Sequence, residues 1–176
     1  MFKDWSEYFF MLGSSAAALI GLMFVVATLT TGRDTKETEE GKHLYTSPIV
    51  WHLGGILVVS GAAIAPSMTR AWFGVGVAGV SLLGIAICVR NAIGIARLRI
   101  AGASNTPFDV WWYGIVPALS YAALAAAAAG VLLDTTWGES AVAAALMALL
   151  LVSIHAEWDL VTFLAPMAAG NHKPKV

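Results

Sequence analysis

The chain has 176 residues, of which 59% are hydrophobic and only 12% are charged, with a mean hydropathy of +0.76. Soluble domains carry about 25% charged residues, so this composition excludes an ordinary soluble protein and indicates one that lies in a lipid bilayer. The net charge of −1 offers no basic surface for nucleic acid. The sequence also lacks a phosphate-binding loop, an HExxH motif and a serine-nucleophile motif, so no named hydrolase class is indicated.

Five long apolar stretches divide the chain. A helix needs about 20 apolar residues to cross the hydrocarbon core of a membrane, and the stretches meet or approach that length. The alternating strands of about ten residues that form membrane barrels are absent. The sequence therefore predicts an all-α integral membrane bundle, with residues 1–176 forming a single transmembrane domain. The five predicted transmembrane helices span residues 8–31, 46–67, 71–90, 110–133 and 139–165.

The first predicted span is expected to remain in the mature protein. Lys3 is offset by Asp4 and Glu7, and the apolar run that follows exceeds the roughly 7–15 residues of a secretory signal. Small residues recur every four positions along this span and along the fourth, which predicts two stripes where another helix can approach closely. These residues are Gly13, Ala17 and Gly21 in the first span, and Gly114, Ala118, Ala122, Ala126 and Gly130 in the fourth.

Lysine and arginine are distributed unevenly between the two sides of the predicted bundle. If the five spans alternate in direction, only Lys3 and Arg70 fall on one side. Cytoplasmic loops carry the excess of basic residues, so the N-terminus is predicted outside and the C-terminus in the cytoplasm. The seven tryptophans fall near the ends of the spans, as expected for two interfacial belts. The basic residues on the predicted cytoplasmic side are Arg33, Lys36, Lys42, Arg90, Arg97, Arg99, Lys173 and Lys175.

Polar side chains that a bilayer tolerates poorly occur in the cytoplasmic halves of three spans. His155 and Asp159 are one helical turn apart, so the carboxylate can orient the imidazole and form a titratable pair with it. Glu157 points nearly the opposite way and is expected to be an interfacial carboxylate, with Arg90 as the balancing charge. The full set is His52 in the second span, Arg90 and Asn91 at the end of the third, and His155, Glu157 and Asp159 in the fifth.

This polar layer has two interpretations. Ionisable groups inside a membrane commonly mark transport routes, which predicts a pathway for an ion, a proton or a small solute. Alternatively, about 20 residues of the fifth span bring Glu157 and Asp159 to the inner boundary of the membrane, where either could pair with Arg90 as a structural clamp. For His52, next to Trp51, an interfacial position is the main expectation. Because ionisable groups project from two sides of the fifth helix, a homo-oligomer is also expected.

Two other functions are compatible with these residues. The small-residue stripes could pack the chain onto a larger membrane complex as an accessory subunit. His52 and His155 could instead be the axial ligands of a haem b in an electron carrier, since two imidazoles from facing helices can hold iron between them. The single cysteine, Cys88, excludes an internal disulfide and any C-x-x-C metal site. No catalytic residue and no metal ligand is assigned.

The first and last spans resemble segments of known proteins. The opening segment Trp5–Leu29 and the closing segment His155–Leu164 resemble a broad group of small multi-pass bacterial membrane proteins. The resemblance covers about a third of the chain. It implies a multi-pass architecture in the bacterial inner membrane, and it implies no activity and no functional residues.

Overall fold

The computed structural model describes residues 3–30, 36–100 and 110–169, with side chains described at 3–26, 28, 48–97 and 110–162. Its elements are a 3₁₀ helix at Lys3–Trp5, α1 at Ser6–Thr30, α2 at Lys36–Ile64, α3 at Arg70–Ile100, a π-helical segment at Trp111–Ile115, α4 at Val116–Leu132 and α5 at Gly138–Ala169. Every regular element in these ranges is helical, which confirms the all-α prediction. Some residues of the sequence predictions lie outside the described part of the chain. They are residue 31, Arg33, Lys173 and Lys175, together with the side chains of Lys36, Lys42 and Arg99.

Most of these helices are long and apolar enough to cross a membrane. Within the described residues, four helical stretches meet that criterion, namely Lys3–Val26, Arg70–Arg97, Trp111–Leu132 and Gly138–Thr162. The apolar part of α2, Pro48–Ile64, is shorter. The described residues therefore form five α-helices, and four of these contain apolar stretches of a length that suits a multi-pass membrane protein.

The helices form a closed ring with one contact across its centre. Consecutive helices are neighbours, α5 packs back against α1, and α2 also touches α5 across the bundle. The last helix therefore contacts α1, α2 and α4. This position covers one face of α5 with the protein's own chain. The expected homo-oligomer depends on neighbours for two faces of this helix, so the second face is the one left for another copy of the chain.

A tyrosine on α4 fills the space between α2 and α3. Tyr121 is 1% exposed and is among the largest fully buried side chains of the described bundle. A Cβ atom placed on Gly84 of α3 would lie 2.4 Å from two atoms of the Tyr121 ring, and one on Gly55 of α2 would lie 3.5 Å from its hydroxyl oxygen. Gly84 therefore lets the ring pack directly on the α3 backbone, because any other residue would occupy the same volume.

The predicted small-residue stripe of α4 turns around the helix. A four-residue step advances about 400° around an α-helix, so each member is rotated by about 40° from the one before it. Gly114 consequently packs against Ala92 of α3 and Gly130 against Trp137, whereas Ala122 and Ala126 between them are exposed. The stripe therefore does not face one neighbouring helix along its whole length.

The stripe of α1 behaves in the same way. Gly13 is buried, and a Cβ atom there would lie 3.2 Å from the Cβ of Ser60 on α2. Ala17 and Gly21, further along the helix, are exposed. Both stripes thus leave a face of small residues uncovered by the chain itself.

The turn between α4 and α5 is held at the end of the bundle that lies away from the π-helical segment. The N–H of Thr135 donates to the carbonyl of Gly130 at 3.0 Å, and that of Asp134 to Val131 at 3.2 Å, with Asp134 at a φ of 57°. This is the pattern of a Schellman cap, with aspartate at the left-handed position. The Asp134 carboxylate also pairs with Arg70 at the start of α3, which fixes the turn to the neighbouring helix.

Candidate functional site

Asp159 of α5 is the centre of a polar cluster at the end of the bundle where α3 continues towards Ile100. The Tyr113 hydroxyl, from the π-helical segment, donates to Oδ2 of Asp159 at 3.2 Å. Nε2 of His155 lies 3.5 Å from the same oxygen, an ion-pair distance when the imidazole is protonated. The titratable pair expected from the one-turn spacing is therefore present in the structure, with a phenol added to it.

The His155 ring also lies against the indole of Trp112. The ring centroids of Trp112 and His155 are 4.5 Å apart, and the two planes are inclined by 44°. The two rings are close enough to pack in aromatic contact. His155 is therefore held by the Asp159 carboxylate on one side and by the Trp112 indole on another.

The polar cluster is open on one side. The side chains of His155 and Asp159 keep 44% and 43% of their surface exposed, respectively. Water, an ion, a lipid headgroup or a second protein chain can therefore reach them without a rearrangement of the bundle. Among the described residues this is where a carboxylate, an imidazole and a phenol meet at an accessible surface.

A proline explains why Tyr113 is placed here. In an α-helix the N–H of residue 117 would donate to the carbonyl of residue 113, but Pro117 has no N–H. The helix is widened at this point, and the N–H of Val116 donates to the carbonyl of Trp111, five residues back. The Tyr113 carbonyl accepts instead from Nδ2 of Asn91, on α3, at 3.1 Å. Widened turns of this kind often occur at functional sites.

Asn91 therefore has a definite role in the polar cluster. Its side chain is 6% exposed, and its bond to Tyr113 joins α3 to the π-helical segment. Together with the Tyr113–Asp159 bond, this contact links α3, the π-helical segment and α5. The polar cluster, or Asp159 cluster, therefore consists of five residues, namely Asn91, Trp112, Tyr113, His155 and Asp159.

His52 lies at a different level of the bundle. It is 3% exposed, and its Nδ1 is 3.0 Å from the hydroxyl of Tyr121. Tyr121 is eight residues beyond Tyr113, which corresponds to about 12 Å along the helix axis. Its side chain is enclosed between helices, whereas Trp51 beside it is 52% exposed, and the interfacial depth expected for His52 stays a prediction.

Glu157 faces away from the polar cluster, as the helical phase predicts. Its side chain is 7% exposed, and Oε2 has no hydrogen-bond partner in the part of the chain that the structure describes. Glu157 is therefore enclosed among the described helices, and its role as an interfacial carboxylate stays a prediction.

Arg90 takes no part in the described contacts of the polar cluster. It is exposed on α3, next to the buried Asn91, and the described partners of Asp159 are Tyr113 and His155. The balancing charge predicted for Arg90 is thus not among these contacts.

The haem alternative gains no support from these positions. His52 is bonded to Tyr121, whereas His155 is held by Asp159 and Trp112 at the other level. Among the described residues, no group of three or more His, Cys, Asp or Glu side chains is arranged to hold a metal ion. The two histidines therefore belong to two separate polar contacts.

The aromatic members of the site are hard to recognise from sequence. The belt pattern predicts an interfacial position for Trp112, and hydropathy marks neither Tyr113 nor Tyr121 as functional. The usable signal for Tyr113 was Pro117, since a proline inside an apolar helix frees a carbonyl four residues earlier. The signal for Tyr121 was the set of glycines on α2 and α3, which only a folded bundle brings to one place.

Comparisons with protein-family models, with characterised proteins and with solved structures give no match for this chain.

Proposed function

We propose that the chain is a five-span protein of the bacterial plasma membrane, with its N-terminus outside and its C-terminus in the cytoplasm. Four membrane-length helices and the shorter apolar part of α2 support this topology. The excess of basic residues on one side supports the orientation. With this orientation, the Asp159 cluster lies near the cytoplasmic boundary and the Arg70–Asp134 pair lies at the outer surface.

The proposed activity is passage of a proton or small cation through the Asp159 cluster. The observation that carries it is the convergence of the Tyr113 hydroxyl and the His155 imidazole on one oxygen of Asp159. A phenol, a carboxylate and an imidazole can each accept and release a proton, and contact between them allows a proton to pass along the set. Asp159 is the acceptor, His155 is the charge-changing group, and Tyr113 is the link to the interior of the bundle.

A homo-oligomer would complete such a pathway. The polar cluster is half-exposed on the outside of the single chain, whereas Glu157 and His52 are enclosed. In a symmetric assembly, copies of the Asp159 cluster could line a shared axis and be shielded from lipid. The exposed small residues Ala122 and Ala126 of α4 would allow close contact between copies.

Purified protein in liposomes tests the proposed activity. Under an imposed pH gradient, we expect proton flux above that of protein-free liposomes, and we expect its rate to change between pH 5 and pH 8, where an imidazole changes charge. His155→Ala should remove this pH dependence. The matched control is Trp158→Ala, an exposed neighbour on the same helix. Flux equal to that of empty liposomes would reject the proposal.

A second function is favoured by the uncovered stripes. Ala17 and Gly21 on α1, and Ala122 and Ala126 on α4, are exposed in the single chain. These faces suit an accessory subunit that packs against other membrane helices. Native mass spectrometry of protein extracted from its own membrane separates the two cases. We expect a homo-oligomer, and a single copy of the chain bound to foreign subunits would favour the accessory role.

A further inference from the structure

A pocket opens at the end of the bundle where α1 begins and α2 ends. This α1–α2 pocket encloses about 280 Å³. Lys3 and Ser6, at the start of the first helical segments, line one side, and residues 63–68, which include the turn from α2 to α3, line the other. The volume is slightly below the roughly 300–1,000 Å³ of small-molecule sites, so it suits a lipid headgroup and not a whole lipid.

The lining of the α1–α2 pocket combines polar and apolar side chains. Lys3, Ser6 and Ser67 contribute an ammonium group and two hydroxyl groups, whereas Ile64 and Met68 are apolar. The Ser6 hydroxyl donates to the carbonyl of Lys3 at 2.9 Å, so its proton is used within the chain. A lysine ammonium has three donors, and a serine hydroxyl has one. Lys3 and Ser67 are therefore the side chains that can donate to a ligand.

Ser67 has a backbone conformation that serine rarely adopts. Its φ is 65°, and the N–H of Met68 donates to the carbonyl of Ala65 at 3.4 Å. These are the features of a type II turn with Pro66 at its second position, and the third position of such a turn favours glycine or asparagine. The turn thus places a serine in the pocket lining where glycine would be the least strained residue.

Charge selects the kind of ligand. At this end of the bundle the described ion pair joins Arg70 to Asp134, and Lys3 has no ion-pair partner among the described residues. Asp4 and Glu7 belong to the same segment as Lys3 but do not line the pocket. The pocket therefore offers a positive charge that its own lining does not neutralise, and lysine is a common ligand of phosphate groups.

The position of the pocket indicates where such an anion comes from. Lys3 and Arg70 begin two of the apolar stretches that are long enough to cross a membrane, so the pocket lies at the level of the helix ends. In a bilayer, the headgroups begin where the hydrocarbon core of about 30 Å ends. A phospholipid can therefore place its phosphate in the pocket and keep its acyl chains in the membrane.

We propose that the α1–α2 pocket binds the phosphate of an anionic phospholipid, with Lys3 as the charged contact and Ser67 as a hydroxyl donor. Ile64 and Met68 suit the apolar part of the lipid next to its headgroup. The orientation proposed above assigns this lipid to the outer leaflet. Binding itself depends neither on that orientation nor on the ion pathway, because the Asp159 cluster lies at the opposite end of the bundle.

Native mass spectrometry of the full chain in a neutral detergent tests the proposal. Titration with phosphatidylglycerol should give a saturable first adduct, and phosphatidylcholine with the same acyl chains should bind more weakly, because its choline group balances the phosphate charge. Lys3→Gln should weaken the first phosphatidylglycerol adduct about tenfold, the scale of one hydrogen bond to a charged group. Ser67→Gly keeps the turn and should weaken binding about 3-fold, through one lost neutral hydrogen bond.

Three controls make the result specific. Arg70→Gln removes a positive charge from the same end of the bundle but outside the pocket lining, so it should bind as the unsubstituted protein does. Lys3→Arg keeps the charge and should retain binding. Glycerol phosphate, which has no acyl chains, should fail to displace the lipid at equal concentration. Equal binding of the two lipids, unchanged binding in Lys3→Gln, an equal loss in Arg70→Gln, or displacement by glycerol phosphate would each overturn the proposal.

Discussion

Gly84→Ala is expected to lower the free energy of unfolding by about 1–3 kcal/mol, the usual cost of overpacking a filled core. The added Cβ would lie 2.4 Å from ring atoms of Tyr121, a separation that real contacts do not reach. The ring cannot move away easily, because it is fully buried and its hydroxyl is bonded to His52. Unfolding in mixed detergent micelles, followed by the loss of helical circular dichroism, measures the change.

The same helix offers a matched control. A Cβ on Gly79 meets nothing within 4 Å, so Gly79→Ala should be neutral or slightly stabilising. The cost of Gly84→Ala should also disappear when Tyr121 is replaced by alanine, because the two substitutions share one contact. If Gly79→Ala and Gly84→Ala unfold alike, or if the two Gly84 and Tyr121 effects simply add, the described packing of Tyr121 on α3 is wrong.

Asp159→Asn is expected to reduce proton flux in liposomes by about tenfold or more, the scale of effect seen when a proton-transfer group is removed. The amide oxygen can still accept from the Tyr113 hydroxyl, so the fold and the link to the π-helical segment should persist. The carboxylate that lies against Nε2 of His155 is replaced by a neutral amide, which removes a group that can take up and release a proton. Initial rates of pH change inside the liposomes, at equal protein density, provide the measurement.

Glu139→Gln serves as the control for this experiment. Glu139 is a carboxylate on the same helix, in its first turn and hence at the opposite end of the bundle from Asp159. Its neutralisation should leave flux unchanged, and Asp159→Glu should restore a part of it. Equal loss in both neutral variants would point to a general effect of charge on the liposomes. Unchanged flux in Asp159→Asn would remove Asp159 from the pathway.

Hydropathy and helical phase predicted the parts of this protein that depend on local sequence. Long apolar stretches can satisfy their backbone hydrogen bonds in a membrane only by forming helices, so the all-α architecture could be predicted from composition and length. The shared face of His155 and Asp159 follows from their spacing of one turn, and the opposite direction of Glu157 follows from the angle of about 100° per residue. These features need no knowledge of which helices are neighbours.

Contacts between helices could not be obtained in this way. Hydropathy does not distinguish a lipid-facing side chain from one that faces another helix, since both environments are apolar. The enclosure of His52 by Tyr121, the burial of Glu157 and the exposure of Ala122 were therefore decided by the order of the helices around the ring. The same order places α1, α2 and α4 against α5, so one face of this helix is covered within a single chain.

The Asp159 cluster shows both contributions in one place. Its carboxylate and imidazole are four residues apart, and the rigid geometry of an α-helix brings them together wherever that helix lies. Tyr113 and Asn91 are 46 and 22 residues away from their respective partners, Asp159 and Tyr113, and reach them only because α3, α4 and α5 pack side by side. Local sequence therefore specified the titratable pair, and tertiary packing added the phenol and the amide, because contacts between distant residues depend on which helices become neighbours.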